Sequence, residues 1–205
     1  MRAFFIAAAA LLASGRALSA QSPGVESVVN RLAESARSRG LPTEPLLAKA
    51  AEGKLKGADS VRIVDAVRGL IRELDVAKST LCPNATGPEL TAAASALHAG
   101  VTPAQLGRVG RVGACAESAA SRPPRLVMPL VVLADLDARR VSTELAVSSL
   151  ETLVSRGAPD AQFASLRTAI ERDISNGDAP DAAMRRRSAT VLRSLGPQSV
   201  ARPPE

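Results

Sequence analysis

The 205-residue chain contains no tryptophan and no tyrosine, and its three phenylalanines are Phe4, Phe5 and Phe163. It therefore lacks the aromatic platforms on which single-stranded nucleic acid stacks, and nucleic acid is not an expected partner. Sugar-binding clefts lean on similar rings, so glycoside chemistry loses its usual support. Histidine occurs once, as His98, and cysteine twice, as Cys82 and Cys115. Two cysteines and one histidine make a poor zinc set, and neither cysteine belongs to a CxxC pair. No metal and no cofactor is expected. A G-x-S-x-G nucleophile elbow is also missing, so no serine is marked as activated and no catalytic residue is assigned.

Long apolar runs are equally scarce. The longest beyond the N-terminus, LVMPLVVLA at 126–134, has nine residues and contains a proline, against about 20 needed to span a bilayer as a helix. The N-terminus itself reads MRAFFIAAAALLASGRALSAQ. A single cation, Arg2, precedes an apolar run of 11 residues from Ala3 to Ala13, and small residues follow at Ala17 to Ala20. This is the pattern of a secretory signal peptide over residues 1–20, cleaved after Ala20 or after Ser19. No cysteine stands at the junction to carry a lipid. The expected mature chain of 185 residues is secreted or periplasmic, with no transmembrane segment after cleavage. Its length suits one domain, which buries about 70% of the surface its unfolded form exposes.

The formal charge of +6 includes Arg2 and Arg16; without them 24 basic side chains face 20 acidic ones, or +4. Such an excess fits weak attraction to anionic surfaces, and solubility explains it equally well.

With strand-favouring aromatics nearly absent, alanine, leucine, valine and arginine dominate what is present. Alanine, leucine and arginine are strong helix formers, so the fold class expected is all-α. One cadence recurs along the chain as GLPTEPL, GADSVRI, GVTPAQL, RVSTELA, GAPDAQF and GDAPDAA. Its glycine suits the left-handed residue just past a helix end. A capping residue follows, with Asp59, Thr102, Ser142 and Asp178 as the N-cap candidates. Pro42, Pro45, Pro103, Pro159 and Pro180 stand in or before a first turn, where a missing N–H is harmless. Gly40 and Gly57 are 17 residues apart, as are Arg140 and Gly157, and Gly157 precedes Gly177 by 20. Each unit holds one short helix and a turn. Two make a helical hairpin, and the expected architecture is an array of such hairpins, either an irregular bundle or a short α-solenoid.

Periodicity agrees. Ile63, Val67, Leu70 and Leu74 form one apolar stripe, and Phe163, Leu166, Ile170 and Ile174 another, with Arg62, Arg72, Arg167 and Arg172 off the stripes. Helices are predicted at 24–38, 43–52, 59–80, 88–99, 102–112, 127–139, 142–155, 159–176 and 179–195. The VVL of the sixth invites a strand reading, but a lone strand would have no partner, and a helix apolar nearly all round suits a central position. GACAESAASRPPR is the longest break, so the helical-repeat domain at 21–195 has a possible subdivision near 113–126. The proline-rich tail at 196–205 is expected to be disordered.

Few residues offer chemistry. Cys82 and Cys115, in an oxidising compartment, most simply form a disulfide closing a 34-residue segment. His98, in the last turn before Gly100, suits interaction with the negative end of a helix. Glu171 and Asp173, like Asp135 and Asp137, are spaced i, i+2 and do not share a helix face. MRRRSATVLR at 184–193 is the densest basic run, making Arg185, Arg186, Arg187 and Arg193 the candidate anion-binding residues; the plainer reading is the exposed side of a capping helix. Asn84-Ala85-Thr86 matches a glycosylation sequon.

The stretch GLPTEPLLAKAAEGKLKGADSVRIVDAVRGLIREL, with the later PLVVLADLDARRVS, resembles alanine- and arginine-rich exported bacterial helical proteins of unassigned function. The resemblance implies an exported protein and assigns no site. Repeated hairpins present extended surfaces, so the function expected is non-enzymatic binding or scaffolding in the cell envelope, with a protein partner. The alternative is a hydrolase or lyase using a carboxylate in an interhelical groove, and a third reading is association of the 184–193 helix with an anionic surface.

Overall fold

Helix endings set the architecture. The computed structural model describes residues 24–114 and 126–196, and at six places there one helix stops in the same way. A residue with positive φ follows the helix: Gly40, Gly57, Gly100, Arg140, Gly157 or Gly177. The next N–H then reaches back five residues, as from Leu41 to the Ala36 carbonyl, Val101 to Ala96 and Val141 to Leu136. This is the Schellman arrangement, which satisfies carbonyls that a helix end would otherwise strand. The aliphatic residue of the repeated cadence is the one that follows the turn, and Leu41, Val101 and Val141 are all buried there. Among the described residues Arg140 alone adopts the left-handed conformation with a side chain (φ 62°), and it is exposed. A Cβ in that conformation costs roughly 1 kcal/mol relative to glycine. Arg140→Gly is therefore expected to raise stability by about 0.5–1 kcal/mol, measured as a shift in the denaturation midpoint at unchanged slope.

The helices so delimited are α1 (Val25–Ser38), α2 (Glu44–Leu55), α3 (Ser60–Thr80), α4 (Gly87–Ala99), α5 (Pro103–Ala114), α6 (Val127–Ala138), α7 (Thr143–Ser155), α8 (Asp160–Ser175) and α9 (Pro180–Ser194). The described residues are all-helical, with LVVLADL inside α6. The expected signal peptide, Cys115 and all but the first residue of the expected tail lie outside the described residues.

Helix starts follow local chemistry with two departures. The Asp59 carboxylate accepts the Arg62 N–H (2.9 Å), and Thr102 exchanges hydrogen bonds with Gln105. Ser142 precedes α7 but makes no side-chain cap; its own N–H donates to Asp181 (2.7 Å). Asp178 is not the N-cap of α9, which is Ala179. Its backbone N–H instead closes the preceding Schellman turn onto Asp173, and its carboxylate meets Arg186. Thr86 and Glu89 make the same reciprocal exchange, a capping box, at α4.

Packing follows chain order in two layers. The odd helices step α1–α3–α5–α7–α9, the even helices step α4–α6–α8, and consecutive helices such as α2–α3, α3–α4, α6–α7 and α8–α9 join the layers. Among the described residues every extensive contact is between helices that are chain neighbours or next neighbours, so these helices advance in order and do not close on themselves. The break after α5 does not interrupt it: α4 packs on α6 and α5 on α7 across that point.

The core lies between the layers. Ala92, Ala93, Ala94 and Ala96 of α4 are buried, as are Leu130, Val132, Leu133 and Leu136 of α6. Small side chains on one helix and larger ones on the other permit close approach. On α3 the buried stripe is Ile63, Val67, Ile71, Leu74 and Ala77. Leu70, predicted in that stripe, is only half-buried. Gly110 of α5 fits tightly against α3, since a Cβ there would lie 2.7 Å from a Leu81 methyl.

Candidate functional site

One step of the even layer is incomplete. α4 packs on α6 and α6 on α8, but α2 and α4 make no extensive contact, although both lie against α3. The gap is a groove with two connected parts that share Pro45, Thr91 and Ser95. One part, ≈ 320 Å³, is floored by Ala66, Gly69 and Leu70 of α3. The other, ≈ 540 Å³, runs past Ala48 and Ala92 to Val127 and Val131 of α6. The half-buried position of Leu70 follows directly: the helix that would cover it stands away.

The residues explain the separation. α2 and α4 face each other with Pro45, Ala48, Thr91 and Ser95, too small and too few to knit two helices at the spacing set by α3. The hydroxyls along the wall are satisfied locally, Thr91 donating to the Gly87 carbonyl (2.9 Å) and Ser95 to that of Thr91 (3.1 Å). At the α3 end of the groove His98 Nδ1 lies 2.8 Å from Glu73 Oε1, joining α3 to α4. His98 is thus held by a carboxylate rather than by helix-end carbonyls. Ser95 shares this groove, its hydroxyl hydrogen-bonded to a backbone carbonyl of its own helix. Lys49 lies nearby, 3.1 Å from Glu52.

The carboxylates singled out in the sequence serve as ties between helices. Asp135 pairs with Arg167, Glu171 with Arg139 (2.6 Å), and Asp137 accepts the Thr143 hydroxyl (2.8 Å). Among the described residues two carboxylates are buried, Glu89 and Asp173, and neither lines the groove. Glu89 accepts the N–H of Thr86 (2.9 Å) and that of Leu126 (3.3 Å), linking the start of α4 to that of α6.

The candidate anion-binding arginines are largely engaged within the fold. Asp173 receives Arg187 through both oxygens (2.7 and 2.6 Å) and Arg186 at 2.7 Å, and Arg186 also reaches Asp178. Hydrogen bonds from the two guanidiniums hold the Asp173 carboxyl far below the usual carboxylate range. Arg185 lies 3.8 Å from Asp181, and Arg193 donates to the Thr190 hydroxyl (3.1 Å). Cys82 is buried just beyond α3; its expected partner Cys115 lies outside the described residues. Asn84 of the sequon is exposed.

Among the described residues no cluster of three or more His, Cys, Asp or Glu side chains is arranged to hold a metal ion, and no helix is long and apolar enough to cross a membrane. Compared with protein families, curated proteins and solved structures, the chain matches none.

Proposed function

We propose that this chain is an exported, non-enzymatic binding or scaffolding protein of the cell envelope, and that the α2–α4 groove receives an apolar segment of a protein partner. The observation that carries this reading is the incomplete even layer. The groove floor is aliphatic, so covering it removes apolar surface from water at about 25 cal/mol per Å². Its wall hydroxyls are already hydrogen-bonded and lose little on desolvation. Glu73, His98 and Lys49 at one end and Glu44 at the other supply the polar rim that fixes register. Export is supported by the N-terminal segment, and the resemblance to alanine- and arginine-rich exported proteins is consistent with it.

The test places a photo-crosslinking residue at Ser95, shared by both parts of the groove, and a control at Ala164, exposed on α8. Envelope extract should give a discrete protein adduct from position 95 and none from 164. Ala48→Glu in the Ser95 probe should weaken capture at least ~10-fold, since a charge on an apolar contact must be desolvated. Equal labelling at both positions, or capture indifferent to Ala48→Glu, would overturn the assignment.

A further inference from the structure

We infer that the outer face of α2, the N-terminal edge of the even layer, is a self-association surface that takes a second copy of this chain. The two ends of the array differ. In repeat arrays the terminal helices need a polar outer face to stay soluble, and α9 has one: Arg185, Arg186, Thr190 and Arg193 are exposed. At the other end α1 is polar outside as well, with Glu26, Asn30, Arg31 and Glu34 exposed, but α2 beside it is not. The exposed large aliphatics among the described residues are Leu47, Leu55, Val61, Val76 and Val112. Leu47 and Leu55 belong to α2, and Val61 stands just past the α2–α3 corner. Leu55 is 89% exposed and Val61 69%.

The α2 residues form a face. At 100° per residue, Glu44, Leu47, Ala48, Ala51 and Leu55 point to one side and all are exposed, while Leu46 and Ala50 on the opposite side are buried. Leu47 and Ala51 also border a second groove, ≈ 200 Å³, between α1 and α2. In the stepwise packing of this array, that groove is where a helix preceding α1 would sit.

The charge pattern selects the occupant. α2 begins with Glu44 and ends with Lys54 and Lys56. When two copies meet antiparallel about a twofold axis, Glu44 of each faces the lysine end of the other, and the helix dipoles oppose favourably. Ala48 and Ala51 lie at the centre, where small side chains let helix axes approach to about 8 Å. Lys54 pairs with Glu26 and Lys56 with Glu52 within the chain. Even so, Lys56 is 71% exposed at its side chain, so it can reach across. A 12-residue helix spans only about 18 Å, less than a standard interface of about 1,600 Å² requires. The dimer is therefore expected to be reversible, dissociating in the micromolar range.

Light scattering on the full chain between ~5 and ~200 μM should show the mass rising from 21.1 kDa toward twice that value. The form beginning at Gln21 should behave alike. Ala51→Glu should stay monomeric with unchanged circular dichroism, as expected for an exposed position. Glu44→Lys and Lys56→Glu should each weaken association ~10-fold, and mixing the two variants should restore it, because both contacts are then attractive. A mass fixed at the monomer value would overturn the proposal. So would a dimer indifferent to Ala51→Glu, or association confined to the chain that retains residues 1–20.

Discussion

Asp173→Asn is expected to lower the melting temperature at neutral pH by about 5 °C or more and to make the protein's stability less sensitive to acid below about pH 4. The side chain is nine-tenths buried between α8 and α9, yet it is charged and receives three short hydrogen bonds from Arg186 and Arg187. Asparagine keeps the shape and removes the charge, leaving two guanidiniums side by side without their common counter-ion. The expected effect corresponds to a few degrees per kcal/mol in a chain of this length. Because the folded carboxyl titrates far below its ordinary value, its contribution is complete above the unfolded value of about 4 and is lost as pH falls toward the folded one. The gap between parent and variant should thus be full from neutrality down to about pH 4 and should narrow progressively as pH falls below that. Thermal melts at pH 7, pH 4 and pH 2 follow the narrowing. A gap of equal size at every pH would show that ionisation of the carboxyl does not carry the effect.

That network also shows where sequence reading stops. Local grammar was legible because its determinants sit within five residues of one another: the glycine, the aliphatic residue after it and the capping or proline residue predict the helix ends at Gly40, Gly57, Gly100 and Gly157, and at Gly177 the glycine and Pro180 suffice. Arg140 was legible only through its neighbours Val141 and Ser142, since its own side chain argues against a left-handed conformation. Long-range pairing was not legible. Arg186 and Arg187 read as a cationic face because Asp173 lies 13 and 14 residues earlier on another helix. Asp173 was hidden in turn by the stripe of Phe163, Leu166 and Ile170, on whose buried side it lies. The groove was still further from view, because it arises from a contact that α2 and α4 fail to make. A faint sign was present in the α2 sequence EPLLAKAAEGKL, where apolar residues occur on every side instead of along one stripe.

Reduction of the Cys82–Cys115 bridge expected from the sequence should lower the melting temperature by about 10 °C. The bridge would close a segment of 34 residues that contains α4 and α5, and chain-entropy arguments value such a loop at roughly 3–4 kcal/mol. At about 2–4 °C per kcal/mol for a chain of this length, that predicts the shift. The region needs such restraint for a specific reason. α4 joins the core largely through alanines, each of which buries less apolar area than a leucine and so stabilises less. α5 approaches α3 through Gly107 and Gly110, which contribute no side chain at all. Tying the end of α3 to the chain beyond α5 limits the unfolded freedom of the two helices least able to hold themselves by burial. Alkylation of the unfolded, unreduced protein should modify no cysteine, and two after reduction. Melts with and without reductant should differ in the parent and coincide in Cys82→Ser. Two alkylations without reductant would mean that α4 and α5 are held by packing alone, and the melting temperature should then ignore reductant altogether.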